Sequence, residues 1–477
     1  MPIEKIVIVG GGVAGWLTAL ALVRKARCAI TMLDTGGIDD SLGIPFAVET
    51  TRPSISKLHN LLGLDDEQVV RHTSSSYALG RALSNWTAAA GTAFHPFGEV
   101  GANLSPVGFQ HLVARLRADG QSVSFANYSL AALCAQSGRF ARPPANTRSV
   151  LSTMEYGLHL NVAEYRNYLK HEATALGVIT LPRSPTELVM DEHGLIATLV
   201  IDTGEIIAGD LFLDCSGHAR LLSSKMPQLG FEDWSGYLPC NHVRISTSPS
   251  SAPPPLYAHI DAHENGWQRF ASTQTVIEEV VASRTAAPDG YFFNSGRIAK
   301  PWMGNCLTIG GAAAIIDPLA STQLHLVGTA IARLLKLFPH GRRAPVEAAE
   351  YNRQAIEELE NARDFAMLHY KCNGRTGDAF WNKCRAMAIP ERLAHKIALY
   401  ESCGRVALHD EESFETWDWI SAFDALGIRP RSYDTMANGI PMDRIQAHLA
   451  QVRNVMLKAA GSLPTQQEYL QSRMAAA

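Results

Sequence analysis

The chain has 477 residues, with 42 lysines and arginines against 46 aspartates and glutamates and a formal net charge of −4. That length exceeds one small core and implies two or three substructures around a shared cleft, while the acid excess and the lack of a lysine-arginine stripe argue against nucleic-acid binding. The eight cysteines, Cys28, Cys134, Cys215, Cys240, Cys306, Cys372, Cys384 and Cys403, never form CxxC, so neither a metal site nor a disulfide framework is indicated.

No apolar run reaches the length of a membrane span, and the first residues lead straight into a strand with no room for a signal peptide, so a cytoplasmic protein is expected. That strand is Ile6-Val7-Ile8-Val9, followed by Gly10-Gly11-Gly12-Val13-Ala14-Gly15 and a helix from Trp16 onward. Gly10 permits the turn, Gly12 allows a pyrophosphate to approach the backbone, and Gly15 lets the helix lie against the sheet. The phosphates would then sit on the helix N-terminus, where free backbone N–H groups and the helix dipole favour anions. A second strand over 29–33 ends at Asp34, placed to hold ribose hydroxyls. This fingerprint indicates a dinucleotide and does not choose FAD over NAD.

Farther along, 54–62 has the spacing of an amphipathic helix, and 77–97 mixes strand alternation with aromatics, ending at Phe94-His95-Pro96-Phe97 beside a pocket. The stretch 122–151, rich in Ala, Ser, Arg and Pro, reads as a surface excursion with some helix. A helix over 162–176 leads to a hairpin near 186–190 and 196–201, turned at Gly194. Leu211-Phe212-Leu213-Asp214 returns to the nucleotide sheet, and 246–255 reads as a loop leading toward Trp267. A second strand and glycine turn, Leu307-Thr308-Ile309-Gly310-Gly311, precedes a helix near 322–337, the pattern a discontinuous FAD domain requires. Beyond 345 the sequence is helical and more charged.

These residues carry a resemblance to the flavin-dependent tryptophan halogenases. It covers nearly the whole length, through Gly10-Gly11-Gly12-Val13-Ala14-Gly15-Trp16 with Ala19, Glu49-Thr50-Thr51 with Pro53, Asn85-Trp86, Phe94-His95-Pro96-Phe97, Asp214-Cys215-Ser216-Gly217, Asn305-Cys306, Pro318-Leu319 with Ser321-Thr322, and Leu368-His369-Tyr370. The resemblance implies an α/β fold with a Rossmann-like FAD-binding box and a helical C-terminal pyramid. A discontinuous FAD domain is expected over 1–345, with substrate-side insertions at about 75–200 and 235–300, and a helical domain over 346–477.

It further implies reduced FAD delivered by a separate, transient flavin reductase, reaction with O2, conversion of halide to hypohalous acid, and a small-molecule or peptide aromatic substrate. A homodimer is compatible with this reading. Gly10, Gly12, Val13, Ala14, Gly15, Asp34, Glu49, Gly310 and Gly311 are the expected cofactor contacts, although Gly311 lacks the carboxylate that many FAD proteins place there for the ribitol. His95, Phe97 and Trp267 are candidate pocket residues, and Ser321, Thr322 and Gln323 a candidate halide or anion site.

Two departures matter most. Alignment back from Asn85-Trp86 puts Ala78 where the family has its lysine, and Ala320 stands where it has a glutamate. A methyl group neither forms a haloamine nor hydrogen-bonds an oxidant. The favoured expectation is therefore an FAD-dependent monooxygenase of halogenase ancestry; a halogenase with a variant site and a non-catalytic FAD-binding protein are the alternatives. Arg81 is a poor substitute for the lysine, since strand alternation would point it away from position 78.

Overall fold

Ile6, Val7, Ile8 and Val9 are all fully covered, the mark of a strand buried on both faces in a parallel sheet. In the computed structural model, which describes residues 2–26, 28–87, 91–144, 148–226, 230–284 and 290–475, this strand is Lys5–Val9. Residues 88–90 and 145–147 of the first expected insertion, and 285–289 of the second, lie outside the described residues. The chain divides into two compact units, Met1–Ser74 with Leu160–Ile245 and Arg284–Arg363, and Ser75–His159 with Ser246–Ser283 and Asp364–Ala477. The 27-residue helix Pro345–Lys371 runs through the last boundary.

In the first unit six strands lie in the order Trp302–Met303, Cys306–Thr308, Leu211–Asp214, Lys5–Val9, Ala29–Leu33, Ile179–Leu181. All neighbours are parallel except Trp302–Met303, which is antiparallel to Cys306–Thr308. The helix Val13–Lys25 crosses between the first two strands in sequence, giving a Rossmann-like arrangement. Register does the positioning: Val9 pairs with both Leu33 and Asp214, and Asp214 with Thr308. Gly10, Asp34, Cys215 and Gly310 therefore all leave the sheet at its carboxyl edge, where ligands of open α/β sheets bind.

The expected hairpin is Pro185–Met190 with Ile196–Ile201. It packs Ile196, Leu199 and Ile201 onto Val7, Val9 and Phe212 of the main sheet. Asn305 ties it down, accepting from Ile196 N–H at 2.8 Å and donating to the carbonyls of Ile196 at 2.9 Å and Asp210 at 3.1 Å.

The second unit contains a run of strands ordered Val276–Ser283, Gly266–Ser272, Ala258–His263, Gly80–Ser84, Thr92–Pro96. It shares its compact body with the helices Ala379–Ala386, Glu391–Cys403, Thr416–Ala425, Met442–Gly461 and Gln466–Ala475. Two local expectations are corrected. The stretch 122–151 is no surface excursion throughout, because Leu130–Ser137 is a helix with Leu130, Ala131, Ala132, Leu133, Cys134 and Ala135 buried. Its alanines are small residues on a packed face, where composition had suggested a surface position. The 246–255 stretch begins inside the strand His242–Pro249, whose last four residues, Ser246 to Pro249, are exposed and polar or cyclic and so imitate a loop. No described helix is long and apolar enough to cross a membrane.

Candidate functional site

Each fingerprint glycine has a steric reason. Gly10 has φ +113°, and a methyl there would lie 2.5 Å from the carbonyl carbon and oxygen of Cys215. A methyl on Gly15 would stand 1.9 Å from the Gly10 oxygen and 3.4 Å from Met32 Cε, so this glycine lets the helix lean on the turn and on the second strand. Gly12 faces a different neighbour: its methyl would fall 2.2 Å from Asp39 Oδ1 and 2.5 Å from Ser41 Oγ.

The helix opening is set out for an anion. Val13 N–H donates to Asp39 Oδ2 at 3.0 Å and Ala14 N–H to Ser41 Oγ at 3.1 Å. A carboxylate thus stands at the donors that would hold a phosphate, which shows that the donor set fits one. The following backbone lies against the second glycine turn: Gly311 N–H donates to the Ser41 carbonyl at 2.8 Å, and a methyl on Gly311 would come within 2.7 Å of Gly43 N. An acid at position 311 has no room in this arrangement.

Asp34 sits at the edge as expected, but its Oδ2 is paired with Lys170 Nζ at 2.8 Å. Its neighbour in the loop, Asp40, accepts from Tyr291 Oη at 2.8 Å and from His218 N–H at 3.3 Å. Burial raises the Asp40 carboxyl above its usual range, opposed by those two hydrogen bonds. Glu49 is buried in the strand Val48–Thr50. Asp39, Asp40, Ser41, Lys170 and Tyr291 were not singled out from the sequence. The signal available was Gly36-Gly37 followed by Asp39-Asp40-Ser41, a polar loop leaving the second strand.

At the other glycine turn Gly310 takes φ +69°. The chain then passes through the turn Pro318–Ala320 into the 14-residue helix Gln323–Lys336. Ser321, Thr322 and Gln323 are 3%, 0% and 6% exposed. Gln323 Nε2 donates to the Ile316 carbonyl at 3.0 Å. Ser321 Oγ, Thr322 Oγ1 and Gln323 Oε1 have no hydrogen-bond partner among the described residues. Buried polar atoms at the positive end of a helix call for an anion or polar ligand. A separate cavity of about 210 Å³, lined in part by Arg52, Lys57, Leu58, His325 and Thr329, lies between this helix and Ser54–Leu62 and was not foreseen.

The model of the tryptophan halogenase family matches residues 5–272 and 268–442. The chain belongs to the tryptophan halogenase family. It is 27% identical over 444 residues to the tryptophan 6-halogenase ThaL of Streptomyces albogriseolus, covering 84% of this chain and 82% of that protein. Among solved structures it resembles BrvH, a flavin-dependent halogenase from Brevundimonas sp. BAL3, at 30% identity and a TM-score of 0.93, with 99% of each chain covered. Xcc4156, a flavin-dependent halogenase from Xanthomonas campestris, matches at 31% identity, also with a TM-score of 0.93 and 99% of each chain covered.

The two alanines at the positions that the resemblance assigns to a lysine and a glutamate are both covered by protein. Ala78 is fully buried in the strand Ser76–Ala78, paired with Gly157. Ala320 is fully buried at the end of its turn. Arg81 belongs to a different strand, Gly80–Ser84, in a different sheet from Ala78, so strand alternation does not relate the two residues, contrary to the expectation from sequence. Arg81 Nη2 lies 3.5 Å from His95 Nδ1 instead.

His95 is fully buried, and its Nε2 is 3.5 Å from Asp418 Oδ1. Phe97 is 4% exposed. Trp267 is fully buried and donates its indole N–H to Tyr370 Oη at 2.8 Å, so its polar edge is taken inside the packed unit. No group of three or more His, Cys, Asp or Glu arranged to hold a metal occurs among the described residues.

Proposed function

We propose that this tryptophan halogenase family member is an FAD-dependent oxygenating enzyme that oxidises an aromatic or electron-rich substrate without the family's lysine route. Reduced FAD, brought by a separate reductase, supplies two electrons with which one atom of O2 enters the substrate and the other leaves as water. Val13 and Ala14 N–H and the Gly310–Gly311 turn would hold the phosphates and ribityl chain, and Asp34 the ribose.

The observation that carries the reading is the pair of buried methyl groups at Ala78 and Ala320. Neither side chain can move a proton or capture hypohalous acid, so neither can run the amine-and-acid chemistry that the resemblance assigns to these positions. Direct oxygen transfer makes no demand on either; it requires a dry, ordered pocket, to which buried His95, Phe97 and Trp267 are suited.

A second reading, halogenation by a variant site, is favoured by the unpartnered hydroxyls of Ser321 and Thr322 at a helix N-terminus, where a halide could sit. One experiment separates the two: reduced FAD, 18O-labelled O2 and an indole panel, with and without bromide, followed by mass spectrometry. Oxygenation is expected to add one labelled oxygen regardless of bromide. A brominated product that depends on bromide would overturn it, and flavin binding with neither product would leave a carrier.

A further inference from the structure

The two N–H groups best placed to receive a phosphate are already held by side chains of the same chain, 26 and 27 positions away. We propose that Asp39 and Ser41 set the affinity of the dinucleotide site: they hold the phosphate donors of the first helix themselves, and flavin enters only by displacing them. This rests on the FAD reading and asks a separate question of the same site.

Three observations carry it. The first is occupancy of several cofactor positions by one short segment. Asp39 and Ser41 cap Val13 and Ala14, while the Ser41 carbonyl accepts from Gly311 N–H. Methyls on Gly12, Gly217 and Gly310 would fall within 2.2 Å of Asp39 Oδ1, 2.1 Å of Asp40 Oδ1 and 2.3 Å of the Ser41 oxygen. The backbone room that glycine leaves for a close ligand is thus filled by residues 39–41. The second is charge. Asp39 puts a carboxylate on the Val13 N–H of a site built for a diphosphate, with the Asp40 carboxylate next in the chain, and a phosphate cannot share that donor with a carboxylate without severe repulsion.

The third is a means of movement. Gly36 and Gly37 have φ +67° and +82° with open space beside them, and Gly43 has φ +96°. Glycine at both ends lets the segment between them change path without straining a side chain. In a protein whose flavin arrives reduced and must leave oxidised, an internal anion that reclaims the donors would favour release.

The test is binding, independent of turnover. Oxidised FAD, inorganic pyrophosphate and riboflavin are titrated into the wild-type chain and into Asp39→Ala and Asp39→Asn, with fluorescence quenching or calorimetry as readout and circular dichroism as the control for folding. Removing the carboxylate should tighten FAD and pyrophosphate by about tenfold, speed FAD association, and leave riboflavin, which lacks a phosphate, unchanged. Asp39→Asn, isosteric and uncharged, should show the same direction and guards against misfolding of the alanine variant. If the wild type binds FAD and neither variant binds it more tightly, the proposal is wrong and the cofactor reading stands. If no form binds FAD, both fall.

Discussion

Lys170 Nζ lies 2.8 Å from Asp34 Oδ2, so the carboxylate expected to meet a ribose is already neutralised by an ammonium from the helix Val162–Ala175. The lysine side chain is 43% exposed and the aspartate 19%, so solvent screens the pair and its contribution to folding is about 1 kcal/mol or less. Its effect on ligand binding is larger, because an uncompensated carboxylate would face the anionic cofactor. Lys170→Met is expected to shift the urea midpoint little and to weaken FAD binding by about threefold to tenfold. Calorimetric titration with FAD checks this, and an unchanged affinity would remove Lys170 from the site.

The glycines divide into those that packing requires and those that only conformation requires. A methyl on Gly15 meets the Gly10 backbone oxygen at 1.9 Å, whereas one on Gly37 meets nothing within 4 Å. Gly15→Ala should destabilise the chain by about 3 kcal/mol or more and abolish flavin binding. Gly37→Ala should cost about 1–2 kcal/mol, from the left-handed backbone alone. Thermal melts of the two variants, with FAD retention on gel filtration, give the comparison.

Two buried histidines make stability depend on pH. Burial, and then the charge of Arg269, lowers His159 to about 3. Burial, and then the charge of Arg81, lowers His369 to about 3. Above pH 6.5 both rings are neutral in folded and unfolded chains. Below it the unfolded chain takes up protons that the folded chain refuses, so stability falls as pH drops from about 6.5 toward about 3. Between pH 7.5 and 5.5 the pair should remove about 2–3 kcal/mol. Urea midpoints at both values measure the loss, and the double variant His159→Gln, His369→Gln should flatten it.

If Ala78 and Ala320 are what separates this chain from a halogenase, restoring both groups should change the product. The double variant Ala78→Lys, Ala320→Glu is expected to give bromide-dependent bromination of an indole at least about a hundredfold above wild type. Each single variant should give far less. Both positions are fully buried, so each charged side chain strains the fold by a few kcal/mol, and melting temperatures must accompany the assay. A folded double variant with no brominated product would mean that other residues hold the difference.

Local rules made much of the molecule legible. The apolar run at Ile6, the glycine spacing and the helix over 54–62 follow from periodicity and steric permission within a few residues, and the structure reproduces Ser54–Leu62 at its expected ends. The same rules misled where composition imitates another state: 122–151 read as a surface excursion with some helix, yet Leu130–Ser137 buries its three alanines along with Leu130, Leu133 and Cys134. Asn305, first noticed as part of a family block, proves to be the clamp between hairpin and sheet, a role set by partners 95 and 109 residues away.

By itself the sequence determined that a strand, glycine turn and helix would form a dinucleotide site, and that methyl groups stand at positions 78 and 320, because chain-neighbour sterics and residue identity are local properties. Only the tertiary structure decided what meets the helix N-terminus. Asp39, Ser41 and Lys170 reach the site through loop closure and sheet register, and a side chain's partner across such distances depends on where the whole backbone returns.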